Sequence, residues 1–410
     1  MERFRVSTDS RLVKPGEYFV AIKGENTDGH KFIEAALRNG ACGVLGEREL
    51  YKAAKDRINL INPIIIGVTG SSGKTTVTAF IYQILSTKYN CCLGSLNTKL
   101  GLSVNVLNDM DEKCKFFIAE MGMDKAGELK ETTDMFPPDF TVITTINHVH
   151  LEKLGTVAAI ANAKAEILYG MKTTGTAVLN SRNNWIRKVG VEFANTGGKV
   201  LWFSEKPPAE ELILPKNILG EHNHRNIVCA AIVANLCGLS YGEISVILNN
   251  IKLPKGRLNL ITGIHRSIII DDTYNANPES MKYALEVLCE VGSKRKVAIL
   301  GDMLELGKFS ARDHIKVGQL INRLAIDRVA CVGERSSLIC AQINSGTAHR
   351  FFSNTLQTQE IVRWLKIREG DTILVKGSQG VRMERITNAL MENPEKAPDL
   401  LVRQDARWNN

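Results

Sequence analysis

The chain lacks any apolar run near the ~18 residues that a membrane-crossing helix needs. Its opening, MERFRVSTDSR, lacks the apolar core of a signal peptide. A cytoplasmic location without a membrane span is therefore expected. None of the nine cysteines (Cys42, Cys91, Cys92, Cys114, Cys229, Cys237, Cys289, Cys331, Cys340) forms a C-x-x-C pair. That argues against a zinc ribbon or a dithiol redox motif and predicts reduced, mostly buried thiols. Internal repeats and low-complexity tracts are absent. Basic residues exceed acidic ones by 52 to 44, a formal charge of +8, but only KGR and SKRK cluster. Neither carries the interleaved aromatics of a single-strand nucleic-acid groove. An anionic small substrate accounts for the excess equally well, so no nucleic-acid partner is expected.

What is present is an ordinary globular composition, 44% hydrophobic and 23% charged, over a length expected to divide into two or three domains. Residues 1–62 hold two short strand candidates, YFVAI and CGVL, around a helix candidate, GHKFIEAALRNG. Residues 63–252 alternate strands (IIIGV, FFIAEMG, FTVITTI, TAVLN, KVLWF) with helices, up to a linker, LPKGR. Residues 253–410 alternate again through SIIIDDT, KVAILGDM, RVACVG and DTILVKGS. Short apolar strands separated by helices predict an α/β protein with parallel, doubly wound sheets. Its expected parts are a small α/β domain, a central P-loop-type domain with a mostly parallel sheet, and a Rossmann-like C-terminal domain.

The chemistry starts at IIIGVTGSSGKTTVTAF, residues 64–80. A strict Walker loop has four residues between its first glycine and the Gly-Lys pair; here five separate Gly67 from Gly73. Gly70 and Gly73, with Ser71 and Ser72 between them, would let backbone N–H groups converge on phosphate. Lys74 would reach the terminal phosphates, Thr75 would offer a hydroxyl to Mg²⁺, and Thr76 continues the helix whose positive end faces the anion. The bland alternative is a glycine-rich connection with an incidental lysine. An Asn-Lys-x-Asp guanine-reading loop is missing, which favours ATP. Downstream, Glu120 ends FFIAE, where a carboxylate suits Mg²⁺. His148 and His150 follow the strand FTVITTI, but no third ligand at zinc spacing accompanies them. Lys164 falls on the apolar stripe Val157, Ile160, Ile167, Leu168, Met171 of a helix candidate. It is either a snorkelling lysine at the core's edge or a functional one whose amine burial makes neutral.

In chain order, TDSRLVKPGEYFVAIKGENTDGH, GVTGSSGKTT, AEMGMDKAGEL, HLEKLGT, AKAEIL, LGEHNHRN, KGR, DDTYNANPESM, LGDMLELG and LVKGSQGVRME resemble the Mur ligase family. These are the ATP-dependent amide-forming enzymes of peptidoglycan precursor synthesis. The likeness runs nearly end to end, and the longer phosphate loop is the family's own. DDTYNANP together with EMG favours the member that adds D-alanyl-D-alanine to a UDP-linked muramoyl tripeptide. The resemblance implies ATP and two Mg²⁺ ions as cofactors, and an acyl-phosphate intermediate. It implies metal ligation by Thr75, Glu120, His150 and a carbamylated Lys164. Asn223 and Asn226 would lie at the adenine, and Arg257 and Asp272 would reach ATP from the third domain. Ser10 and Arg11 would contact uridine. Asn97 and Thr98, with Tyr274, Asn275 and Asn277, would face the peptide substrates, and the enzyme would act as a monomer. The amino-terminal domain starts almost at TDSR, shorter than the family's by a strand and a helix. Thr145 stands where the family has asparagine, and Thr98-Lys99 where it has paired asparagines and an acidic residue. A Mur-type ligase for another nucleotide-linked peptide, and a nucleotide-binding partner without turnover, are the alternatives.

Overall fold

The computed structural model describes residues 4–24, 27–147, 151–291, 294–405 and 408. They form three sheets. In the first, β1 (Arg5–Ser7), β2 (Glu17–Val20) and β3 (Gly43–Leu45) are parallel in that order. The second contains β4 (Ile64–Thr69), β5 (Cys91–Gly94), β6 (Phe116–Glu120), β7 (Phe140–Ile143), β8 (Thr176–Asn180) and β9 (Lys199–Phe203). Its spatial order is β5-β6-β4-β7-β8-β9, and every pair is parallel. The third contains β10 (Asn259–Gly263), β11 (Ser267–Asp272), β12 (Arg295–Gly301), β13 (Arg328–Val332), β14 (Ala348–Phe352) and β15 (Asp371–Lys376). Its order is β10-β11-β15-β12-β13-β14, parallel throughout except for the hairpin of β10 and β11. Parallel sheets wound with helices are what the alternating pattern predicts. The chain divides into two compact units: residues 1–146, 161–213 and 226–251, and residues 147–160, 214–225 and 252–410.

Within the first unit, the central strands of the larger sheet are buried along both faces, with all five residues of β6 and five of the six in β4 inaccessible. Continuous apolar runs such as Ile64-Ile65-Ile66 are the sequence form of that burial. The small sheet is tied to the same unit by Asn108, which prolongs the pairing of β1. The Val6 N–H donates to Asn108 Oδ1 (2.8 Å), and Asn108 Nδ2 donates to the Val6 carbonyl (2.9 Å). Beside it, the helix Glu47–Ile61 packs on the helix Lys99–Asn108, and the Lys99 ammonium sits 4.4 Å over the Tyr51 ring.

In the second unit the strand period of two sorts side chains into two cores. Ile270, Ala298, Leu300, Val329, Cys331 and Leu374 join one cluster. Their neighbours Ile269, Val297, Ile299, Ala330, Val332, Ile373 and Val375 join the other. A layer of helix thus covers each face.

Four strands lie outside the sequence reading: β1, β5, β10 and β14. They are short or sit at sheet edges, and exposure of three of the five β14 residues hides the apolar run that signals a strand. The thiols are all free, but only Cys92, Cys114, Cys229 and Cys331 are buried; four others are half-buried and Cys42 is exposed. Among the described residues, no helix is long and apolar enough to cross a membrane.

Asn108→Ala removes both bonds to Val6 and should lower stability by about 1–3 kcal/mol. Amide hydrogen exchange would speed up first in β1. Unchanged exchange there would show that Asn108 does not hold the small sheet.

Candidate active site

β4 lies between β6 and β7, and the chain crosses from one side of β4 to the other after β6. Open α/β sheets bind ligands at such a reversal, outside the carboxyl ends of the strands. The loop 70–73 leaves β4 there and runs into the helix Lys74–Leu85. Gly70 has φ +150° and approaches β7's exit so closely that a Cβ would lie 2.0 Å from Thr144 Oγ1. Gly73 has φ +86°, and a Cβ there would lie 3.0 Å from Asn226 Oδ1. Both positions therefore require glycine, for backbone conformation and for space.

The loop is braced by two threonines just beyond β7. The Ser71 N–H donates to the Thr145 carbonyl (2.7 Å), and the Ser72 N–H to Thr145 Oγ1 (2.9 Å). In return, the Thr144 and Thr145 hydroxyls donate to the Ser72 carbonyl at 2.5 and 3.1 Å. The amides of Ser71 and Ser72, expected to turn toward phosphate, bond to Thr145 in this structure. The amides of Gly73, Lys74, Thr75 and Thr76 precede the first intrahelical bond, from the Val77 N–H to the Gly73 carbonyl (2.9 Å), at the end of the helix that attracts anions. Lys74 Nζ donates to the Gly70 carbonyl (2.9 Å), so the cation lies over the loop.

Glu120 ends β6, its register partner being Val68 of β4, and is buried. Asn97 Nδ2 donates to it at 3.4 Å, while the Asn97 carbonyl accepts from the Gly122 N–H at 2.7 Å. Thr98 instead caps the helix Lys99–Asn108, its hydroxyl accepting from the Gly101 N–H at 3.1 Å. His148 and His150 lie outside the described residues.

Lys164 sits in the helix Val157–Tyr169 with no exposed surface, among Ile160, Ala161, Ile167 and Leu168. Its Nζ has no hydrogen-bond partner among the described residues. Burial is the main force pushing its pKa well below the ordinary lysine value; the Lys74 cation adds to it and the Asp124 carboxylate opposes it. A snorkelling lysine keeps its head in water. This one does not, which removes the bland alternative.

Ser10 is buried and its carbonyl accepts from Asn39 Nδ2 (2.8 Å), whereas Arg11 is exposed and paired with Asp9 at 2.7 Å. In the second unit, Asp272 ends β11 and pairs with Lys376, which ends β15, at 2.5 Å, both side chains being buried. Lys376 also donates to the Asn275 carbonyl at 2.9 Å. The Arg257 guanidinium lies 4.0 Å over the Tyr274 ring. Asn277 caps the helix Pro278–Glu290, accepting from the Ser280 N–H at 2.9 Å. Asn223 is buried and donates to the Leu219 carbonyl at 2.9 Å.

Family models cover most of the chain: Mur ligase family, catalytic domain, over residues 5–75; Mur ligase middle domain over 68–215; and Mur ligase, glutamate ligase domain, over 256–379. A UDP-N-acetylmuramoyl-tripeptide–D-alanyl-D-alanine ligase of Escherichia coli (strain K12) is 31% identical, over 95% of this chain and 94% of its own. The chain belongs to the Mur ligase family. Its fold superposes on a crystal structure of MurF from Acinetobacter baumannii with a TM-score of 0.84, at 27% identity over 96% of this chain and 94% of that one. MurF ligase from Thermotoga maritima in complex with ADP gives 0.82, at 26% identity over 97% and 100%.

Sequence reasoning missed three contributors: the Thr144–Thr145 brace, Asp124 beside Lys164, and Glu166, which holds the loop carrying Asp124. Thr145 left a signal as a departure from the family pattern, and Asp124 and Glu166 fall inside the family stretches AEMGMDKAGEL and AKAEIL without a role being read for them.

Two outcomes follow from this geometry. Thr145→Val keeps the shape but deletes the bridging hydroxyl, and should weaken binding of an ATP analogue by about tenfold, the equivalent of one net hydrogen bond. Unchanged affinity by calorimetry would mean that the brace does not shape the loop. Lys164→Met should stabilise the ligand-free protein by about 1–3 kcal/mol at pH 7, because it removes an unpaired buried amine. The folded-state pKa is depressed, so the unfolded chain binds the extra proton between that value and ~10.4. The native protein therefore gains stability as pH rises through this window, and the advantage of Lys164→Met shrinks toward its upper end. Denaturant melts at pH 7 and at higher pH check the sign; a less stable Lys164→Met at pH 7 contradicts it.

Proposed function

We propose that this chain is an ATP-dependent ligase that joins D-alanyl-D-alanine to a UDP-N-acetylmuramoyl-tripeptide in peptidoglycan precursor synthesis. The substrates are those in the name of the Escherichia coli relative, matched over nearly the full length of both chains. The observation that carries the chemistry is the fully buried amine of Lys164, which has no hydrogen-bond partner among the described residues and lies within reach of the Lys74 field. A nucleotide-binding partner without turnover has no use for such a lysine.

A carboxylate is a poor electrophile, so the tripeptide's terminal carboxylate first takes the γ-phosphoryl group of ATP, releasing ADP. The dipeptide's amine then attacks the acyl carbon. The tetrahedral intermediate expels phosphate and leaves the amide. Lys74 and the first-turn amides of its helix would hold the phosphates in line and offset the charge of the transferring group. Asn226, against Gly73, would sit on the adenine side of the loop.

Thr75, Glu120, His150 and Lys164 are the donors we propose for Mg²⁺. The fit is chemical: a buried lysine amine left neutral by its surroundings can take up CO₂ and release a proton, becoming an anionic oxygen donor suited to a hard cation. Bound there, Mg²⁺ would spread the negative charge of the transferring phosphoryl group.

Phosphate release from ATP, measured with the UDP-linked tripeptide and with or without D-alanyl-D-alanine, tests the reading. Release should require both substrates and yield the pentapeptide product. Lys74→Ala should lower turnover on the order of 10³-fold while the protein stays folded. Lys164→Arg, which keeps a cation but cannot form the carbamate, should be comparably inactive. Turnover that does not depend on the dipeptide would overturn the substrate assignment.

A further inference from the structure

The segment 121–127 follows Glu120 directly and leads to the helix Glu128–Met135. It carries Asp124, the carboxylate whose field acts on Lys164. Its backbone is held at both ends. The Met121 N–H donates to the Val68 carbonyl (2.8 Å) and the Gly122 N–H to the Asn97 carbonyl (2.7 Å). Farther on, Glu128 Oε2 accepts from the N–H groups of Asp124 (2.6 Å) and Lys125 (3.2 Å).

The helix that ends this segment has glycine as its N-cap. Gly127, at φ +90°, has no side chain with which to accept a first-turn N–H. A residue 39 positions away does so instead. Glu166 Oε1 accepts from the Gly127 N–H at 2.7 Å, and Glu166 Oε2 from the Lys130 N–H at 3.1 Å. Both carboxylate oxygens are thus committed, and the negative charge lies at the positive end of the helix. Glu166 belongs to the same helix as Lys164, two residues on. One helix therefore carries the buried amine and also grips the loop whose one carboxylate, Asp124, acts on it.

We propose that Glu166 is a positioning residue for phosphoryl transfer. By holding the amides of Gly127 and Lys130, it fixes the 121–127 loop so that Glu120 and Asp124 keep their places relative to Lys164. The proposal rests on the metal-centred ligase reading above. It differs from an ordinary helix cap in what its loss changes. A cap contributes stability alone. A positioning residue alters the rate and the metal requirement at constant nucleotide affinity, because a small displacement of catalytic groups is costly.

The test uses the full-length protein with Glu166→Gln, which keeps the size but can accept only one of the two amides. Glu166→Asp keeps the charge but is one methylene short. Two controls lie in the same unit. Ser240→Ala removes the cap of the helix Tyr241–Leu248, where the Ser240 hydroxyl accepts from the Glu243 N–H at 3.2 Å. Glu131→Gln removes an exposed first-turn charge from the Glu128–Met135 helix itself. Both Glu166 variants should lose at least tenfold in kcat and need several-fold more Mg²⁺ for half-maximal turnover, with KM for ATP within twofold of wild type. Neither control should show this. A second readout needs no turnover: with Mg²⁺ and a non-hydrolysable ATP analogue, the amides of residues 121–130 should exchange at least tenfold faster in the Glu166 variants than in wild type. Wild-type exchange in Glu166→Gln overturns the proposal, as does a kcat loss that Ser240→Ala reproduces or that Glu166→Asp restores. If wild-type protein forms no amide from the named substrates, the proposed reaction falls, while the exchange measurement still decides the role of Glu166.

Discussion

An amine with no exposed surface and no hydrogen-bond partner among the described residues is the constraint on which this account of the first unit turns. Burying a lysine among aliphatic side chains is unfavourable unless the charge is lost or paired. The helix Val157–Tyr169 nevertheless places Lys164 there, with no exposed surface. The Lys74 cation worsens the position of a protonated amine and Asp124 relieves only part of it. A protonated amine at such a site is costly. Buried groups with strongly shifted pKa values concentrate at functional sites.

The surroundings explain how the sheet places that amine beside a phosphate loop. β4, β6 and β7 are adjacent and parallel, so the loop, Glu120 and the Thr144–Thr145 pair all leave from the same edge. Gly70 lets two backbones meet without a Cβ between them, and the threonine hydroxyls convert that contact into a hydrogen-bonded brace. Two loop amides are used up in this way. The loop that leads into the helix's first turn is thereby fixed. Charge stabilisation is most effective when its dipoles need no reorganisation during the reaction, and a braced loop is consistent with that condition.

Much of this was legible in the amino-acid order. The central strands announced themselves as apolar runs, because burial on both faces demands it; the half-exposed edge strand Ala348–Phe352 did not. The strand-loop-helix pattern around Gly70 to Lys74, the place of Glu120 at the end of a strand and that of Lys164 on an apolar stripe are readable in the residues. Whether Lys164 snorkels was not, since periodicity gives the face of a helix but not its depth. The contact of Glu166 with Gly127 joins residues far apart in sequence and follows no period, so only the folded chain reveals it. Thr98 and Asn277, which the family likeness suggested for substrate, act as helix caps, a role their residue types serve equally well.

The central claim is that Lys164 is held neutral so that it can become an anionic metal donor. The most direct measurement is ¹³C NMR of the protein equilibrated with ¹³C-bicarbonate, Mg²⁺ and ADP. The account predicts a single protein-bound carbamate carbon in wild type that is absent from Lys164→Met. A wild-type spectrum without that resonance, under conditions where the protein turns over, would contradict it.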